Sequence, residues 1–162
     1  MKLYISGPMS RVPEFNFPAF FRAEARLRAA GHDVINPASM DLQQYPDIKS
    51  WPGFTSGDPS ACPKFNLRAT LLGDLTQILA HADGVVVLPG WAGKRCAQLE
   101  VMAARRIGLP IFELDGMKEI EPRFVCCFGE REVIHALENT IVAQQKTSDL
   151  LRAEIQRLGI GT

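Results

Sequence analysis

Apolar positions along the chain change rhythm several times, and each change predicts an element. Leu3 to Ser6 is a short apolar run read as a buried strand. FNFPAFFRAEARLRAAGHD follows, with Phe17, Phe20, Phe21 and Leu27 on one side of a helix and Arg22, Glu24, Arg26 and Arg28 facing water. Asn16 stands as its N-cap, Pro18 falls in its first turn and Gly31 ends it. DVINP then predicts a second short strand stopped by Pro37, so strand, helix and strand fit one right-handed βαβ unit.

From Ala38 to Lys64 the periodicity disappears. Prolines and glycines punctuate a segment that carries Tyr45, Trp51 and Phe54, and a loop of this length predicts a lid or a packed Ω-loop. Asn66 caps the next helix, where Leu67, Leu71, Leu75, Ile78, Leu79 and Ala82 recur at helical spacing. GVVVLPG, Gly84 to Gly90, is wholly apolar, as in a strand buried inside a parallel sheet. CAQLEVMAARRIG predicts a third helix ended by Gly108, LPIFEL a fourth strand, and FVCCF, Phe124 to Phe128, a fifth. The alternation predicts an α/β fold, a doubly wound parallel sheet of four or five strands. Beyond it, Ile134, Leu137, Ile141, Leu151, Ile155 and Leu158 predict a long C-terminal helix, packed on a second subunit or folded back on its own domain. The division expected is an α/β domain over 1–128 and this helix over 129–162.

Composition narrows the partners. Lys plus Arg and Asp plus Glu number 18 each, so no global field draws the chain to a nucleic acid polymer or an anionic membrane, and a small molecule is the expected ligand. The four cysteines, Cys62, Cys96, Cys126 and Cys127, lack the paired spacing of a structural zinc site, which predicts reduced thiols and no metal. The opening apolar run is too short for a signal peptide, and no stretch reaches the roughly 20 apolar residues of a membrane span. A cytoplasmic protein without a cofactor is expected.

Ligands of a doubly wound sheet bind beyond the carboxyl ends of its strands. Two loops there carry chemistry. GPMSR, Gly7 to Arg11, offers close backbone approach at Gly7, the Ser10 hydroxyl and the Arg11 cation; PGWAGKR, Pro89 to Arg95, leads into a helix N-terminus that favours an anion. Glu100 shares a helix face with Cys96, Ala103, Ala104 and Ile107, and Asp74 lies in line with Leu67, Leu71 and Ile78; neither has a cation at helical spacing. Such a carboxylate finds a tertiary partner or serves a site with a raised pKa. Two carboxylates around a polar crevice suit cleavage of a glycosidic bond. Tyr4, inside the first strand, needs a polar partner for its hydroxyl, either a carboxylate or the backbone.

The strand and loop YISGPMS, the NPA at Asn36 to Ala38, the helix-borne Asp74, and DGVVVLPGW followed by Glu100 together resemble the nucleoside 2-deoxyribosyltransferase superfamily, in particular its short phage and prophage members, over about Lys2 to Phe112. The resemblance implies a flavodoxin-like fold, a homo-oligomer, and either base exchange between deoxyribosides or hydrolysis of deoxynucleoside monophosphates. It further implies catalytic roles for Glu100 as nucleophile, Tyr4 as the group orienting it and Asp74 as sugar ligand or proton donor. Gly7, Pro8, Met9, Ser10 and Arg11, with Gly90, Trp91 and Lys94, would bind substrate. Lys94 and Cys96 depart from the family pattern: Lys94 stands where the transferases have Asp and the hydrolases Ser, and Cys96 where Gly is common. Lys94 would either hold a phosphate or close the pocket by pairing with Asp74 or Glu100. The leading expectation is an N-glycosidase acting on a 2-deoxynucleoside 5-monophosphate; the alternatives are a catalytically silent nucleotide-binding protein and a deoxyribosyltransferase.

Overall fold

The computed structural model describes residues 1–120, which fall within one compact unit, Met1–Arg123. The FVCCF strand and the C-terminal helix lie outside the described residues. Among the described residues the sheet has five strands, in the order β2-β1-β3-β4-β5. β1 (Lys2–Ser6), β2 (Asp33–Ile35), β3 (Gly84–Val87) and β4 (Ile111–Glu113) run parallel, and β5 (Lys118–Glu119) pairs antiparallel with β4. β5 follows Gly116 and Met117, both at positive φ, in a tight return that the sequence reading did not contain.

Strand alternation sends successive side chains to opposite faces. Leu3 and Ile5 of β1 and Val86 of β3 join Phe17, Phe20, Ala23 and Leu27 of α1 (Phe17–Ala29) in one apolar core. Tyr4 and Ser6 point the other way, and Ser6 meets Glu100 of α4 (Arg95–Arg106). α3 (Leu67–His81) packs beside α4 and buries Asp74, Leu75 and Ile78. Asn66 caps α3 as expected, its side chain accepting from the Ala69 amide at 3.2 Å. The expected apolar stripe is narrower than its spacing: Leu67 and Leu79 are exposed on α3, while Cys96 and Ile107 are exposed at the two ends of α4.

Two local readings are corrected. Pro37 does not merely stop a strand: Asn36 and Pro37 are the N-cap and first residue of α2 (Pro37–Gln44), the Asn36 side chain accepting from the Ala38 amide at 2.9 Å. Asn36 also donates to Glu24 at 2.8 Å, and Glu24 pairs with Arg28, so Glu24 is partnered rather than simply hydrated. Asn16 does precede α1, but in a left-handed conformation, and its side chain donates to the Pro8 carbonyl at 2.9 Å instead of capping the helix.

The segment after α2 is packed. Tyr45, Ile48, Trp51 and Phe54 recur every third residue, and the amide of each of the last three donates to the carbonyl three residues before it. All four are buried against the core, with Phe54 edge-on to Phe17 and Phe15. The segment in turn holds the loop after β1: the Arg11 amide donates to the Gly57 carbonyl at 2.7 Å and the Glu14 amide to that of Phe54 at 2.9 Å. Arg11, Glu14, Phe15 and Asn16 all sit at positive φ, a strained run that such tethers hold in place. Gly57 has no room for a side chain, since a Cβ there would lie 1.8 Å from the Val12 carbonyl oxygen. Phe54→Ala is expected to cost about 3–5 kcal/mol in urea unfolding with one cooperative transition; an unchanged midpoint would show that the segment is a detached lid.

Candidate active site

The segments that follow β1, β2 and β3 line a cleft of about 750 Å³. Glu100, Asp74 and Asp41 face it, carried by α4, α3 and α2, and all three are buried. The Ser6 hydroxyl donates to Oε2 of Glu100 at 2.6 Å, a short bond of the kind charged acceptors make. Burial and then the charge of Asp74 raise Glu100 well above the usual carboxylate range, while the Ser6 and Tyr4 hydroxyls pull it back. Burial raises Asp74 to about 6 against the pull of Tyr4, and burial with the charge of Asp74 raises Asp41 to about 7. Tyr4 is fully buried; its hydroxyl interacts with Glu100 and Asp74 but completes no hydrogen bond of standard geometry. Desolvation, followed by the Glu100 and Asp74 charges, raises its pKa. These groups form one coupled set, in which hydroxyl donors favour charge on Glu100.

The more exposed lining carries most of the cations. Arg11, Lys94 and Arg95 stand there with Ser10 and one acid, Asp58, which interacts with Arg11. Lys94 Nζ donates to the Ser10 carbonyl at 2.9 Å, which ties the loop after β1 to the start of α4. It bonds that carbonyl rather than Glu100 or Asp74. The Lys94 side chain precedes α4 without capping it.

Of the expected site residues, Glu100, Asp74, Gly7, Met9, Ser10, Arg11 and Lys94 line the cleft. Tyr4 lies beneath it. Pro8, Gly90 and Trp91 are not part of its lining. Pro8 is buried and accepts the Asn16 bond, and Gly90, at φ 82, turns the chain beside it. Gly7 is required for a close approach within the protein, since a Cβ would lie 2.8 Å from that of Leu88. The segment expected to be a lid or a packed Ω-loop supplies Asp58, Pro59 and Ser60 to the wall, and Phe65 follows just beyond it.

A family model described as a domain of unknown function, DUF4406, matches residues 1–113. The chain belongs to this family. No curated protein and no solved structure gives a significant match. The DUF4406 match spans β1 to β4 and so includes Ser6 and the three buried cleft carboxylates.

Two site residues of this DUF4406 domain escaped the sequence reading. Ser6 passed as a strand residue, although a hydroxyl at the carboxyl end of a buried strand is itself a signal. Asp41 was lost with α2: it lies four residues after Pro37, one helical turn along from the buried start of that helix.

The raised Asp41 pKa has a consequence for stability. The folded domain binds this proton more tightly than the unfolded chain, whose value is near 3.8, so the contribution is fully present below about pH 4 and lost as pH rises through about 7. Asp41→Asn is therefore expected to unfold at higher urea than wild type near pH 8.5, by up to about 4 kcal/mol, with the difference closing near pH 4. A pH-independent difference would contradict the desolvation of Asp41.

Proposed function

We propose that the domain cleaves the N-glycosidic bond of a 2-deoxynucleoside 5-monophosphate with retention, Glu100 acting as nucleophile. The observation that carries this is Glu100 itself: a buried carboxylate that lines the cleft and has its Oε2 held by the Ser6 hydroxyl. The separation of charge supports the substrate class. Carboxylates at the floor suit a sugar and its anomeric carbon, and the cations at the mouth suit a phosphate.

In this reading Oε1 of Glu100 attacks C1′ as the bond to the base breaks, giving a deoxyribosyl ester that water then hydrolyses. Asp74 binds the sugar, and Tyr4 and Ser6 orient Glu100. The preference for a 2-deoxy sugar comes from the resemblance to the nucleoside 2-deoxyribosyltransferase superfamily. The parallel order β2-β1-β3-β4 supports the flavodoxin-like arrangement that goes with it. A cytoplasmic location, supported by the free thiols of Cys62 and Cys96, and a homo-oligomeric state belong to the same reading.

Lys94 distinguishes this from a silent nucleotide-binding protein. Its ammonium bonds the Ser10 carbonyl and, among the described residues, forms no ion pair with Glu100 or Asp74. Incubation with each deoxynucleoside monophosphate, followed by chromatography, is expected to show free base, with Glu100→Ala slower by on the order of 1,000-fold or more. No release above Glu100→Ala with any base would overturn the proposal. A new nucleotide formed only when a second base is supplied would instead show transfer.

A further inference from the structure

We infer that Asp41 is the acid that protonates the departing base, a role that rests on the glycosidase reading above. The carboxyl is buried and lines the cleft from α2, across from the α3 and α4 carboxylates. Among the described residues it has no hydrogen-bond or ion-pair partner. The other acids of the cleft differ. Glu100 takes the Ser6 hydroxyl, Asp58 takes the amide and hydroxyl of Ser60, and Asp74 has Tyr4 beside it. A desolvated carboxyl with no donor lacks the hydroxyl bonds that favour charge on its neighbours, which suits it to hold a proton.

The charged and titratable groups around it are consistent with that placement. Asp74 from α3 acts on it directly; Glu100 from α4 and Tyr4 from β1 complete the buried set; Asp58, Arg11, Lys94, Arg95 and Cys96 line the same cleft. Burial with the charge of Asp74 raises Asp41 to about 7, and burial raises Asp74 to about 6.

The step balances. As Glu100 Oε1 forms its bond to C1′, the electron pair of the C1′–N bond moves onto the base, and the Asp41 proton passes to a ring nitrogen or carbonyl oxygen of that base. Asp41 is left as a carboxylate. It then takes a proton from the water that attacks C1′ of the ester, which frees Glu100 and returns Asp41 to its acid form.

The test compares leaving groups. Wild type and Asp41→Asn are assayed on a deoxynucleoside monophosphate and on 4-nitrophenyl 2-deoxyriboside 5-phosphate, whose phenolate departs without a proton. On the nucleotide, Asp41→Asn is expected to lose about 100- to 10,000-fold in kcat/KM, along with the basic limb of the pH profile near 7. The pre-steady-state burst of nitrophenolate should stay within a few-fold of wild type. Equal losses on both substrates would make Asp41 structural, and no loss on the nucleotide would remove it from the reaction; either overturns the inference while leaving the glycosidase reading intact. A wild type inactive on both substrates would overturn the two together. Asp41→Glu, which keeps the acid, is expected to recover part of the nucleotide rate, and a variant indistinguishable from Asp41→Asn would count against proton transfer.

Discussion

Burying three carboxylates in one cleft is the constraint around which this domain is arranged. Each carboxylate loses hydration that water would supply, and each raises the cost of ionising the others. The fold offsets part of that cost where the Ser6 hydroxyl reaches Glu100 across the sheet and helix interface. The bond requires Ser6 to face away from the α1 core, which the alternation of β1 provides, and requires α4 to lie against that face. A one-residue slip of β1 would turn Ser6 into the apolar core and leave Glu100 without its donor.

The positive side of the cleft depends on loops, and these are fixed by contacts remote from it. The Glu14 amide, which opens the run of positive φ from Glu14 to Asn16, donates to the Phe54 carbonyl of the neighbouring segment, and the Arg11 amide donates to that of Gly57. That segment is anchored by Tyr45, Ile48, Trp51 and Phe54. Aromatic packing outside the cleft thus determines where Arg11 and Ser10 stand, and Lys94 closes the arrangement from the other side. The acidic floor rides on helices and a strand, while the basic mouth rides on tethered loops.

Much of this was legible in the sequence, and the omissions have physical causes. The buried strand Gly84–Val87, the Asn66 cap and the inward placement of Asp74 and Glu100 follow from period and cap chemistry. The apolar repeat at 45, 48, 51 and 54 fits neither the strand period of two nor the helical period of 3.6, so a packed chain of turns looked like a loop without pattern. Asn36-Pro37 carries both a strand stop and a helix start, and reading only the stop hid α2 and Asp41 with it. Glycine has several uses, and at Gly7 the close neighbour is the Leu88 side chain, a contact between distant residues that spacing along the chain does not reveal.

The account stands on Glu100 as a covalent nucleophile. Rapid acid quench during turnover of a deoxynucleoside monophosphate, followed by peptide mapping by mass spectrometry, tests that claim most directly. The predicted result is a deoxyribosyl phosphate ester on the peptide containing Glu100, present during turnover and absent once substrate is exhausted. Base release with no adduct at any quench time, or an adduct on a different carboxylate, would contradict it.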